Sequence, residues 1–353
     1  MSKPRESAVL LKLPHWQQAS DKEEIAVLAA KKSALNENVR KKTRASSLTR
    51  TWSVYVIFLF MLPGLLHYLI FRVGPSMATV ILSFTNITGV PGVAWDFIGL
   101  DNYREFFFLQ NTRDLQRALS RTVTYSLSVT LIQNILALFM AIVVNNKFMK
   151  GRNFFRAVYF MPVILGVTIV TSVWMLLASV DGPIFALMQA LMDNPQPMFA
   201  NRTLAFPGVI GIQIWMFMGF SMVLYLAGMQ NIPSELYEAA FVDGCGEFRS
   251  IRYITFPMLW PIITVNVLLA IIGSLQSFDI IFTTTGGQFN TTTLGMMVFA
   301  TAFGGAGATP GGGGIASLRQ GYAASMSMIL FIGVFVVTII SQILMKKLGG
   351  GDN

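Results

Sequence analysis

Residues 232–257 hold the densest local chemistry in the chain: Ile232-Pro-Ser-Glu-Leu-Tyr-Glu-Ala-Ala-Phe-Val-Asp-Gly-Cys-Gly-Glu-Phe-Arg-Ser-Ile-Arg-Tyr-Ile-Thr-Phe-Pro257. Pro233 suits the first turn of a helix, and Ser234 and Glu235 complement its N-terminal dipole. Leu236 through Val242 continue it with mostly good helix formers, and Gly244 and Gly246 end it. A second short helix fits from Glu247 to about Thr255, with Pro257 and Pro261 marking the entry into the next apolar stretch. Two short helices meeting at a glycine form a compact protruding element, suited to contact with another protein.

A second group of chemistry-bearing residues lies in otherwise apolar stretches: Gln213, Trp215 and Phe220, then Ser274 and Gln276. In hydrocarbon an uncompensated polar side chain is costly, so each must bond to a neighbouring helix or to a solute. Amide and hydroxyl groups beside an aromatic face suit a hydroxyl-rich solute. Interhelical bonding or packing is the competing assignment for each. Gln133 and Asn134 read as bonds between helices, and Asp279 as an interfacial or Arg-paired carboxylate. Catalytic material is scarce, since the histidines are His15 and His67, the cysteine is Cys245, and no phosphate-binding Gly-x-x-x-x-Gly-Lys-Ser/Thr loop occurs. Neither a catalytic group nor a metal-ligand cluster is expected.

The elements that must position these residues are membrane helices. Of 353 residues, 54% are apolar and 12% charged, about half the charged share of a soluble domain. Uncharged stretches long enough to cross a hydrocarbon core of roughly 30 Å occur at 52–71, 122–144, 157–180, 206–229, 258–278 and 321–345. The expectation is an all-α integral membrane protein with six transmembrane helices. Two further uncharged stretches, 73–95 and 280–318, are broken by Gly and Pro or by runs of Thr and Gly, and are placed outside the lipid.

Charge fixes the orientation. Nineteen of the 26 Lys and Arg residues lie before Trp52, in 145–156, around Arg249, or at the C-terminus. Six spans bring all of these to one face, which the positive-inside rule makes cytosolic together with both termini. The net charge of +9 is thereby assigned to a membrane face and not to nucleic acid. Residues 1–50 form a basic cytoplasmic tail, with a possible helix through Glu23, Glu24, Ile25, Leu28, Lys31 and Lys32 that suits water or lipid headgroups. Residues 51–353 form the transmembrane domain. Fifty mostly polar residues ahead of the first helix make it an anchor, not a cleaved signal.

The 232–257 stretch resembles the EAA loop of permease subunits of bacterial binding-protein-dependent ABC importers. Glu238, Ala239, Ala240, Gly244, Ile254 and Pro257 fall on that pattern without a gap, with Phe256 where Leu is usual. Phe97-Ile-Gly-Leu-Asp-Asn-Tyr, Gly151-Arg-Asn-Phe-Phe-Arg, Leu226-Ala-Gly-Met-Gln-Asn-Ile-Pro, Gly273-Ser-Leu-Gln-Ser-Phe-Asp and Gly321-Tyr-Ala-Ala-Ser, in that order, resemble the carbohydrate-uptake, maltose-permease-like branch. The basic tail and the Gly-rich 304–314 segment depart from its short members.

The resemblance implies a type I ABC importer permease fold in the bacterial inner membrane. It implies a second permease subunit completing the path for a sugar, an external solute-binding protein, and two ATPase subunits docked on the EAA loops. ATP and Mg would then sit on the ATPase and none on this chain. Gln213, Phe220 and Gln276 resemble positions that contact the sugar. The same role for a polyol, glycerol phosphate or amino acid is the alternative cargo. A secondary transporter, a channel or a membrane enzyme has no need of the EAA pattern.

Overall fold

The computed structural model describes residues 58–109, 112–146, 150–191, 195–304 and 318–348, with 31, 33, 36, 55, 56 and 193. The N-terminal tail with its possible helix, apart from those isolated positions, and most of the Gly-rich 304–314 segment lie outside the described residues. The chain divides into two units, Met1–Met77 and Ala78–Asn353.

The long helix of the first unit, α1 (Phe58–Leu82), continues across the boundary. It therefore takes in part of the 73–95 stretch expected outside lipid. A π-helical turn at Leu69–Val73 sits just ahead of Gly74 and Pro75. Proline has no amide hydrogen, so the helix continues only by widening its turn there.

The second unit contains α2 (Thr112–Asn145), α3 (Arg152–Ile164), α4 (Val167–Leu177), α5 (Pro183–Leu191), α6 (Ala205–Gln230), α7 (Ser234–Val242), α8 (Glu247–Met258), α9 (Trp260–Gln276), α10 (Asp279–Thr284), α11 (Leu294–Phe303) and α12 (Gln320–Leu348). α1, α2, α6 and α12 are each long and apolar enough to cross a membrane. The bent pairs α3/α4 and α8/α9 bring the number to six if each counts as one span. The expected spans at 157–180 and 258–278 are thus broken helices, and their breaks have visible causes. α3 carries Pro162, and Leu165 and Gly166 then turn extended, so α4 leaves at 99°. α9 opens with Pro261 in its first turn, and the chain bends by 68° at Leu259.

α2 and α3 pack along α6, and α9 packs along α2. The buried face of α2 is Ala118, Thr122, Tyr125, Val129, Gln133, Ala137, Ala141 and Val144, a repeat of three and four that places one stripe inward. Small residues permit close approach. A side chain on Gly219 of α6 would overlap the Tyr159 carbonyl of α3, and one on Gly228 would press on Leu259 and Ile262. Near one end, Trp260 Nε1 of α9 donates to the Met345 carbonyl in the last turn of α12 at 2.8 Å.

At the other end, the segment between α1 and α2 is pinned to the start of α12. Asn102 Nδ2 donates to the Ser83 and Thr85 carbonyls, and the Gly321 amide donates to the Ile87 carbonyl. The Arg319 guanidinium forms two 2.6 Å bonds to the Glu105 carboxylate and lies 4.4 Å from the Tyr322 ring centre. That bond to Arg319 lowers the Glu105 pKa against the opposing effect of burial. A depressed carboxylate pKa adds stability above its unfolded value, and this is lost as pH falls through the folded one. Arg319→Met is therefore expected to lower the melting temperature at pH 7, by the equivalent of about 1 kcal/mol for a part-exposed pair. The gap between the two proteins should close on acidification below the ordinary glutamate value of 4.5. Melts of purified protein at pH 7 and pH 3.5 check it, and a gap unchanged by acid would sever the effect from Glu105.

Candidate solute cavity and coupling elbow

Between α2, α3, α6 and α9 lies a cavity of about 470 Å³. α9 contributes Asn266, Leu269, Ala270, Gly273 and Gln276 along one helical face. α6 contributes Gln213, Phe217, Phe220 and Ser221, α2 contributes Gln133, and α3 contributes Val163 at its break. Ser277, Phe278 and Asp279 close one end, where α9 stops because Ser277 turns extended.

Three of the residues singled out in the sequence, Gln213, Phe220 and Gln276, therefore meet at one cavity. Trp215 is not among the lining residues. It lies two positions on from Gln213, about 200° around the helix, and packs edge-on against Trp174 at 5.8 Å. Ser274 is 2% exposed and bonds across to Ser126 at 2.8 Å and back to the Ile271 carbonyl. Asp279 has no Arg ion pair among the described residues. It instead accepts from the Ile280 amide at the start of α10 and lies at the cavity wall.

A polar ladder ties the helices around this space. Tyr125 donates to Gln213 Oε1 at 3.3 Å, Gln133 Nε2 to Ser221 Oγ at 3.0 Å, and Tyr225 to Asn134 Oδ1 at 2.6 Å. Gln133 and Asn134 thus bond between helices, and Gln133 also faces the cavity. Asn266, Ser221 and Ser277 were not singled out in the sequence. The signal for Asn266 was its spacing: ten residues before Gln276, it shares that residue's helical face in an otherwise apolar helix.

The second feature is the elbow made by α7 and α8. Gly244 is left-handed (φ +74°). Its amide donates to the Phe241 carbonyl at 3.0 Å, and the Cys245 amide donates to the Ala240 carbonyl at 2.8 Å. This is the Schellman arrangement, which satisfies the last carbonyls of α7 and needs a residue without Cβ at the turn. Gly246 then starts α8. Tyr237 on α7 bonds Thr255 on α8 at 2.9 Å, closing the two arms on each other. Tyr237 and Ile254 pack into the same cluster as Met222, Tyr225, Leu226 and Leu259, so the elbow is fixed to the membrane bundle. Glu238, Ala239, Gly244 and Pro257 are exposed and Ala240 is half-buried. Phe241 (81%), Val242 (84%) and Phe248 (79%) stand out from the elbow, a local concentration of apolar exposure.

A helical membrane bundle with broken spans, a largely apolar cavity into which a few amides and hydroxyls project, and an elbow fixed to one end is a solute permease. Its fold matches a bacterial ABC transporter involved in the import of the acidic polysaccharide alginate, over 86% of this chain and 98% of that one (TM-score 0.69, 20% identity). The chain belongs to the binding-protein-dependent transport system inner membrane component family, whose profile matches residues 133–350. It is thus an integral inner-membrane subunit of a transport system. It is 32% identical to a probable ABC transporter permease protein, YesP, of Bacillus subtilis (80% of this chain, 88% of that one). It is 29% identical to the multiple sugar-binding transport system permease protein MsmF of Streptococcus mutans (82% and 94%). It is 30% identical to the trehalose/maltose transport system permease protein MalF of Thermococcus litoralis (69% and 81%).

Proposed function

We propose that this chain is one of two permease subunits of an ATP-driven sugar importer, with the sugar passing through the 470 Å³ cavity. The lining carries the reading. Gln133, Gln213, Asn266 and Gln276 offer carboxamides, Ser221 and Ser277 hydroxyls, and Phe217, Phe220 and Phe278 apolar faces. That is the mixture a polyhydroxylated ring requires: donors and acceptors for its hydroxyls, and flat surface for its C–H face. Among the described residues no Lys or Arg lines the cavity, and the ionisable residue there is Asp279, which argues against glycerol phosphate and the carboxylate of an amino acid. The names of the relatives MsmF and MalF support the same cargo class.

The elbow docks one of two ATPase subunits, with Glu238 exposed beside the apolar residues Phe241 and Val242. ATP and Mg are held by that partner. Motion of the ATPase is passed through Tyr237, Ile254 and Leu259 into α9, whose far end borders the cavity. The distribution of basic residues supports a cytosolic elbow and cytosolic termini. An external binding protein delivers the solute to the opposite face.

The test is uptake into proteoliposomes holding the permease pair, the ATPase and the binding protein. ATP-dependent uptake of at least one labelled neutral sugar among maltose, trehalose, sucrose and arabinobiose is expected. Uptake restricted to glycerol phosphate or amino acids would overturn the cargo, and sugar uptake without the ATPase would overturn the mechanism.

A further inference from the structure

Asp279 stands where α9 has ended, at the end of the cavity away from the elbow. Its Oδ1 accepts from the Ile280 amide at 2.9 Å and from the Ser277 hydroxyl at 3.5 Å. Oδ2 bonds to none of the described residues and is not closed off from water. Gln276, three positions earlier, is exposed, lines the same space, and its carboxamide bonds to none of the described residues either. An open carboxylate and an open amide thus border one cavity, beside the apolar side chains of Phe217, Phe220, Leu269 and Phe278. An amide would serve the Ile280 and Ser277 bonds as well as a carboxylate does. What those bonds leave unexplained is the charge, which is costly beside apolar surface and has no Lys or Arg among the described lining residues to offset it.

We propose that Asp279 sorts solutes by charge: it admits neutral and amine-bearing saccharides to the cavity and turns away those that carry a carboxylate, such as uronates. The inference rests on the sugar reading above and narrows it to a charge class. Beside apolar walls the field of one carboxylate is less damped than in bulk water, and a second carboxylate brought next to it is repelled. A ring hydroxyl or an ammonium group instead finds an acceptor in Oδ2, while Gln276 offers an uncharged donor and acceptor. A fixed charge in the wall selects by sign in ion-conducting pores in the same way. The reading sets this chain apart from its fold neighbour, which is involved in the import of the acidic polysaccharide alginate.

The experiment reads the charge without using a sugar. Gln276→Cys is placed in an assembled importer whose native Cys245 is replaced by Ser, with Asp279 either intact or changed to Asn. Asp279→Asn keeps the Oδ1 acceptor and the side-chain shape, so the bonds from Ile280 and Ser277 survive. Each assembly is reacted at pH 7 with two thiol reagents of opposite charge, trimethylammonium-ethyl and sulfonato-ethyl methanethiosulfonate. Rates are followed by mass spectrometry on the peptide that holds position 276, so partner chains are not read. Any change in the reactivity of the thiol itself cancels in the ratio of the two rates. Asp279→Asn is expected to lower the cation-to-anion ratio about three- to tenfold. Asp279→Glu, which restores the charge, should bring the ratio back.

A ratio that Asp279→Asn leaves unchanged would mean that the carboxylate does not act on what enters the cavity. An introduced thiol that neither reagent reaches would mean that Gln276 does not face open space. Either result overturns the proposal. With Asp279 intact, the ratio should also fall as salt is raised from about 0.01 M to 1 M, a readout that needs no substitution at Asp279, and a ratio indifferent to salt counts against it equally. An importer that moves no sugar in the uptake assay defeats the cargo reading, whereas an unchanged ratio defeats the role of Asp279 alone.

Discussion

Gly244→Val is expected to leave the subunit inserted and paired, yet to reduce ATP hydrolysis stimulated by the solute-loaded binding protein by at least about tenfold. Gly244 is the left-handed joint of the elbow, and its two turn bonds close only with φ positive. A residue with Cβ pays about 1–2 kcal/mol in that conformation, and a β-branched one more. The Cβ would meet nothing within the chain, so there is no steric route by which it damages the bundle. The strain is instead relieved by opening the turn, which swings Phe241 and Val242 away from Phe248 and breaks the docking surface. Gly246→Ala is the control, since Gly246 has an ordinary φ of −69° and its Cβ also meets open space. Stimulated ATPase activity and ATPase retention in purified assemblies measure the effect. Normal stimulation in Gly244→Val would show that this elbow does not couple the two halves of the machine.

Gly219→Val is expected to yield no folded subunit. The backbones of α3 and α6 cross at this glycine, where a Cβ would overlap the Tyr159 carbonyl and stand 3.0 Å from the Phe160 Cα. Both obstacles are main-chain atoms in helices, so no rotamer change relieves them, and α3 must move outward along its length. α3 also supplies Val163 to the cavity, so the damage reaches the site. Gly211, on the same helix with open space around its Cβ, provides the contrast. Gly211→Ala should be neutral or stabilising by up to about 1 kcal/mol, from helix propensity alone. Size-exclusion profiles and thermal melts distinguish the two, and a monodisperse, normally melting Gly219→Val would refute the crossing.

Much of this arrangement was legible because the membrane imposes a simple code. The length of an apolar run gives a span, and the alternation of Lys and Arg gives its direction, so the six-span reading came from composition. The elbow was legible too: Pro233, Gly244 and Gly246 state where a helix starts and stops, and α7 spans Ser234–Val242 within one turn of that expectation. The breaks were harder to read. Pro162 and Pro261 are visible, but a bend of 99° or 68° depends on which neighbours can take up the freed carbonyls. Around the cavity, a polar residue in an apolar helix could not be sorted by sequence into solute contact or interhelical bond. Ser274 and Gln276 differ by two positions, and one faces Ser126 while the other faces the cavity. Asn266 was legible only through its spacing from Gln276, because a lone amide in an apolar helix reads as a helix-to-helix bond, and it does make one, to the Ser221 carbonyl, as well as lining the cavity.

The length of α2 constrains how a delivery protein must approach. Its 34 residues rise about 51 Å, against a hydrocarbon thickness of roughly 30 Å, and no tilt within the usual 0–40° range absorbs the excess. The apolar part is 122–144, so residues 112–121, with Arg113, Arg117 and Arg121, stand in headgroups and water as an upright post of about 15 Å. In the orientation proposed from the basic residues, that post faces outward. A partner arriving from outside would meet a stiff ridge bearing guanidinium groups. Its approach should consequently be slowed by added salt if its facing surface is acidic, and indifferent to salt if it is not.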